Sequence, residues 1–125
     1  ILVNAETHLR PTPRAAWGGA QVGFRVYQDW LAVINAYPTT QGLPVYIIST
    51  NTFDREAKVP PAQNYPRGWL TTAAQVIAGE PQIVALCWFM DEFPHGDEWD
   101  WFSLTERPGR LVDAAEEFDS LLREE

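Results

Sequence analysis

Short apolar runs bounded by breakers alternate along this chain with longer stretches of helical periodicity. The clearest run follows Gly42: Leu43 and Pro44 lead into Val45, Tyr46, Ile47 and Ile48, which give way to Ser49, Thr50, Asn51 and Thr52. A nearly continuous run of β-formers of this length reads as a strand buried on both faces, hence a parallel one. Ile1-Leu2-Val3-Asn4-Ala5 is another strand candidate, and Ile83 to Met90 a third. Between the first two, Ala20, Phe24, Tyr27, Leu31 and Ile34 form an apolar stripe widened by Trp30 and Val33. Gln21, Arg25, Gln28 and Asn35 recur on the opposite side, so the spacing predicts an amphipathic helix from about Ala20 to Ala36, ended by Tyr37-Pro38. A second helix over Pro66 to Ala78 turns Trp69, Leu70, Ala73, Val76 and Ile77 inward and stops at Gly79 and Pro81. A last helix carries Leu111, Ala115, Phe118 and Leu122 on one side, with Glu116, Glu117 and Asp119 read as an exposed face.

The order β-α-β-α-β-α defines an α/β fold of three consecutive parallel βα units with right-handed crossovers. Every strand-to-helix connection is long (Glu6 to Gly19, Ser49 to Asn64, Asp91 to Gly109), whereas the helix-to-strand turns around Gly42 and Glu80-Pro81 are short. Loop length is thus concentrated at the carboxyl face of the sheet, where barrels of this class carry their sites. Three strands this apolar leave two edges unpaired, and a closed barrel uses eight strands and roughly 250 residues. Residues 1–125 are therefore expected to form part of a TIM (β/α)8 barrel, its last three units, with the N-terminal units in a longer parent chain. Ile1 in place of an initiator Met points the same way.

Composition narrows the partners more than the fold. Hydrophobic residues make up 46% and charged residues 21% of 125, an ordinary balance for a globular domain. The net charge is −8 and the nine Lys and Arg form no cluster, which argues against nucleic acid or an anionic membrane surface. No apolar run approaches the roughly 20 residues of a membrane span. Cys87 is the only cysteine, so an internal disulfide is impossible and the compartment stays open. No cofactor is implied: there is no Gly-x-Gly-x-x-Gly or Gly-x-x-x-x-Gly-Lys phosphate loop. Asp91, Glu92, His95, Asp97 and Glu98 crowd together, yet lack an Asp-x-Asp-x-Asp-Gly pattern, so they read as a solvated acidic loop rather than a metal site.

Several of these stretches together carry a resemblance. Ile1 to Pro11 with His8, the run Leu43 to Ile47 followed by Thr50-Asn51, the run Ala85-Leu86-Cys87-Trp88-Phe89, and Gly68-Trp69 at the head of a helix occur in this order. The chain is similar to the C-terminal part, strands six to eight, of the clan A (β/α)8-barrel glycoside hydrolases, the cellulase-like enzymes. The resemblance implies carbohydrate as ligand, His8, Asn51, Trp69 and Trp88 as substrate-binding residues, and Trp88 as the floor of a sugar site. It also implies a catalytic glutamate at the end of the seventh strand, where this chain has Ser49. The acid/base partner belongs after a fourth strand that this chain does not contain.

Retaining hydrolysis needs two carboxyl groups about 5–5.5 Å apart, one attacking and one protonating the leaving oxygen. A serine hydroxyl cannot replace the attacking carboxylate without a base to deprotonate it. A Ser49–His8 nucleophile pair has no Gly-x-Ser-x-Gly turn and no orienting carboxylate, so Ser49 reads as a degenerate nucleophile position. Asp91 and Glu92, just past the third strand, are the surrogate carboxylates available. Trp99 and Trp101 could add a sugar subsite or clamp their loop. The alternatives are a non-catalytic carbohydrate-binding or scaffold pseudoenzyme, and a small open α/β domain with an unrelated ligand.

Overall fold

The amino ends of two parallel strands are tied to the end of a helix, and that knot sets the layout of the fold. A computed structural model describes residues 9, 11, 13–21, 23–54, 57–90 and 98–123, so the strand candidate at residues 1–5 lies outside the described residues. Helix α1 spans Val26–Asn35 and strand β1 Val45–Thr50. The Asn35 and Gln82 amides bond reciprocally (2.8 and 3.1 Å), Gln82 also donates to the Leu43 carbonyl (2.9 Å), and Gly42 donates to Asn35 (3.0 Å). Val45 N–H then donates to the Gln82 carbonyl, starting the pairing of β1 with strand β2, Ile83–Trp88.

The two strands run parallel, with Val45 opposite Ile83, Ile47 opposite Leu86 and Thr50 opposite Trp88. Helix α2, Pro61–Asn64, and helix α3, Trp69–Ala78, form the connection between them, and helix α4, Leu111–Arg123, follows β2. The described chain is therefore mixed α/β, with a two-stranded parallel sheet and four helices. The core lies where Ile47 and Ile83 meet Phe24, Tyr27 and Leu31 from the α1 segment and Trp69, Leu70 and Ala73 from α3.

The structure corrects several local expectations. Helix α1 begins at Val26 rather than near Ala20, because Gly23 takes a φ of +83° that no right-handed helix accepts. Trp30 and Val33 do not widen the buried face but stand exposed, and Leu122 is exposed at the far end of the α4 stripe. The four residues of α2 sit where a loop was expected; Pro61 suits a first turn because its missing N–H is one of the unpaired donors there. Helix α3 starts at Trp69, three residues after the expected Pro66, and β2 ends at Trp88 rather than Met90. The strands are not covered on both faces by the described residues. Tyr46, Ile48 and Val84 are each more than half exposed, because the helices all pack toward Ile47 and Ile83.

Glu117 is more than an exposed face. Gly68, the residue that caps α3, has a φ of +90° and no side chain to satisfy the helix's free N–H groups. The Glu117 carboxylate on α4 takes that role from 49 residues away. It accepts the N–H of Gly68, the N–H and hydroxyl of Thr71 (both 3.2 Å), and the Tyr65 hydroxyl (3.0 Å). The Tyr65 oxygen in turn accepts the N–H of Leu70 at 3.0 Å. A carboxylate at a helix N-terminus is also favoured by the helix dipole.

Removing this cap with Glu117→Ala is expected to lower the free energy of unfolding by about 2–4 kcal/mol, since charged hydrogen bonds are lost and half-buried donors left open. Urea unfolding that leaves the midpoint unchanged would contradict the assignment. Gly109 has a φ of +54°, and a methyl group there would run into the Ala62 carbonyl, which accepts the N–H of Arg110. Gly109→Ala should therefore cost at least about 1 kcal/mol in the same measurement.

The alkaline limb gives a third test. Burial, and to a lesser degree the Glu117 carboxylate, push the Tyr65 hydroxyl above its ordinary value of 10.0, against a lowering by the Leu70 N–H. The unfolded phenol ionises first as pH rises past about 10, so the folded state holds the extra proton and stability falls from there upward. Tyr65→Phe should lower stability at neutral pH and flatten that alkaline fall, as read from urea midpoints between pH 8 and 11.

Candidate functional site

Four consecutive polar residues, Ser49, Thr50, Asn51 and Thr52, are buried at the carboxyl end of β1. Buried polar groups need partners, and here Asn51 finds backbone ones and Thr52 a side chain. Asn51 donates to the Phe89 carbonyl (2.8 Å) and accepts from Phe53 N–H (2.8 Å), so its amide clamps the tip of β2 and its own loop. Phe89 N–H donates to the Thr50 carbonyl (2.9 Å), carrying the pairing one step past the strands. Thr52 donates to Asn64 at the end of α2 (2.9 Å). The Thr50 hydroxyl and the Trp69 indole N–H are buried without a hydrogen-bond partner among the described residues.

The residues singled out from the sequence divide as follows. His8 lies outside the described residues, as do Asp91, Glu92, His95 and Asp97. Trp69 and Trp88 are brought into ring contact, and Asn51 bonds the Phe89 carbonyl, one residue past Trp88. Trp88 is the cross-strand partner of Thr50, not of Ser49, and its ring meets Trp69 at 6.3 Å and Tyr65 at 6.0 Å, both edge-on. Its indole N–H donates to the Phe102 carbonyl at 2.9 Å. Trp69 is 3% exposed and also packs edge-on against Phe24, so it belongs to the core between sheet and α3. Ser49 sits within the buried row at the end of β1, as expected for a strand-tip position.

A second layer of the site was read from the sequence only at Trp99, with Trp101 beside it; Phe53, Phe89 and Phe102 were not foreseen. Phe53 follows β1, Phe89 follows β2, and a 3₁₀ turn at Glu98–Phe102 places Trp99 and Phe102 over both. Phe89 meets Trp99 at 5.9 Å and Phe102 at 6.3 Å; Phe102 also meets Trp99 at 5.6 Å and Phe53 at 5.5 Å. All four rings are half-buried, while Trp101 on the same turn is 45% exposed. The signal was present as aromatic residues just past each strand and an i, i+3 pair, Trp99 and Phe102, matching the repeat of a 3₁₀ turn.

A cavity of about 380 Å³ lies elsewhere, between α3, β2 and α4, lined by Leu70, Ile77, Leu86, Trp88, Phe118 and Leu121 among others. Its walls are apolar, with Glu80 the one charged residue on them, so it offers few groups to orient a polar ligand. Among the described residues, no group of three or more His, Cys, Asp or Glu could hold a metal ion, and no helix is long and apolar enough to cross a membrane.

Fold and site together describe an α/β protein with a buried polar row at the end of one parallel strand and an aromatic cluster past the carboxyl ends of both. The chain matches no family model, no curated protein and no solved structure. Replacing Asn51 by Leu is expected to cost about 1–3 kcal/mol by leaving the Phe89 carbonyl and Phe53 N–H unpaired. Faster amide exchange at Phe53 than elsewhere in the sheet would locate the loss at the strand tips; uniform exchange would argue against the clamp.

Proposed function

We propose that this chain is part of a clan-A-like glycoside hydrolase barrel that binds carbohydrate at its carboxyl face and does not carry out double displacement at Ser49. The observation that carries this reading is the aromatic layer of Phe53, Phe89, Trp99 and Phe102 seated over the carboxyl ends of two parallel strands. In parallel α/β folds, ligands are met at that end, and aromatic rings supply apolar surface for the C–H faces of a pyranose. The parallel pair joined through α2 and α3 supports a repeated βα design, and the exposed Tyr46, Ile48 and Val84 are side chains that further strands of a closed sheet would cover. Three βα units, the first supplied by residues 1–5, are the finer form of this proposal.

Ser49 decides between hydrolysis and binding. Its hydroxyl lacks the charge of a carboxylate and cannot form the glycosyl–enzyme ester that retention requires. The tip of β1 ends in hydroxyls and an amide, none of which can attack an anomeric carbon in place of a carboxylate. A panel of aryl glycosides incubated with the full parent chain, beside its Ser49→Glu variant, tests this reading. The unmodified protein is expected to release no aryl alcohol while giving measurable heat on titration with oligosaccharides. Turnover by the unmodified protein would overturn the degenerate-site reading.

A further inference from the structure

Resting on the carbohydrate reading above, we propose that the sugar-stacking surface is the indole of Trp101, not of Trp88, and that it takes neutral rather than anionic glycans. Trp88 is poorly placed for this: Tyr65 and Trp69 pack edge-on against its ring, its N–H is committed to the Phe102 carbonyl, and it borders the apolar cavity between α3, β2 and α4. Trp101 is placed differently by the same turn. In a 3₁₀ turn, residues three apart eclipse each other, so Trp99 and Phe102 share the row that faces Phe89. Trp101 falls off that row and is 45% exposed.

Its seat is firm. Phe102, the next residue, is held by the Trp88 N–H and by ring contacts to Phe53 and Phe89, and Ser103 N–H donates to the Asp100 carbonyl at 3.1 Å. A ring presented from an anchored turn loses little conformational freedom when a ligand stacks on it. Lone exposed tryptophans are common, but this one stands on an aromatic base at the carboxyl end of parallel strands. Charge selects the ligand class. The protein carries a net charge of −8 and Asp100 is adjacent to Trp101, so uronate or sulfate groups are repelled while neutral hydroxyls are accepted.

Titration calorimetry of the full chain with cello-, xylo- and manno-hexaose, and with trigalacturonate as the anionic probe, tests the assignment. A neutral hexaose should bind, trigalacturonate should not, Trp101→Ala should weaken binding by about tenfold or more, and Trp101→Phe should recover part of it. Binding by wild type that Trp101→Ala leaves unchanged would overturn this inference while sparing the carbohydrate reading. The absence of binding to any glycan by wild type would overturn both. Trigalacturonate binding as tight as the neutral glycans would overturn the charge argument. Loss of self-association in Trp101→Ala, seen by sedimentation without change in glycan binding, would show the ring to be a contact between copies and overturn the proposal. Should Trp101→Ala fail to fold, the wild-type indole N–H resonance of Trp101 decides: a shift on titration with the hexaose supports the proposal, and a stationary resonance overturns it.

Discussion

The carboxylate of Glu117 is the constraint on which the packing of the helices depends. Helix α3 begins at a glycine, with no side chain of its own to receive its first N–H groups. Without a partner these donors would be left half-buried beside α4, at a free-energy cost comparable to several lost hydrogen bonds. Glu117 and the Tyr65 hydroxyl supply the missing acceptors together. Because the carboxylate is rooted on α4, the angle and register of α4 against α3 are set by the same bonds. The rotation of α3 follows, and with it the inward placement of Trp69, Leu70 and Ala73 against Phe24 and the sheet.

At the other end of the sheet, the chain resolves a polar problem of a different kind. A strand ending in Ser-Thr-Asn-Thr must bury those groups or splay them into solvent, and this one buries them, tying Asn51 to backbone and Thr52 to a side-chain amide. Asn51 spans from its own loop to the tip of β2, and Asn64 receives Thr52 from α2. The strand tips are thereby held together before any ligand arrives. Preorganisation of this kind suits a binding surface, since little order remains to be imposed on association. The aromatic layer continues the same logic, with Phe102 contributing both a ring to the cluster and a carbonyl to Trp88.

The sheet itself is covered on one side among the described residues. Ile47 and Ile83 face the helices while Tyr46, Ile48 and Val84 stand open. Parallel sheets in α/β proteins are buried on both faces, so the open face is an incompletely satisfied surface in its own right. The same holds for the Trp30 and Val33 side of α1, whose inner face, with Tyr27 and Leu31, is fully engaged. These surfaces share one character: exposed aliphatic and aromatic residues at strand or helix spacing.

Much of this was legible in the residues. Hydrophobic spacing located α1, α3, α4 and both described strands, because burial of one face imposes its period on the side chains that can occupy it. The parallel pairing followed from two apolar runs separated by a helix. The start of α1 was misread because periodicity continues through Gly23 although its backbone does not, and α2 was missed because four residues carry no period. Of the candidate site residues, Asn51 and Trp88 were correctly placed at the strand tips, but their partners were not foreseeable. Whether an amide serves a ligand or a backbone carbonyl depends on which chain segment lies within hydrogen-bond reach, and that is a tertiary fact. The same reason governs Glu117, which looks like any acidic residue on a helix until another helix presents its bare N-terminus beside it. What the sequence determined by itself was local: which segments form strands and helices, and which of their faces are apolar. What only the folded chain decided was which lone polar groups meet, because that depends on contacts between residues tens of positions apart.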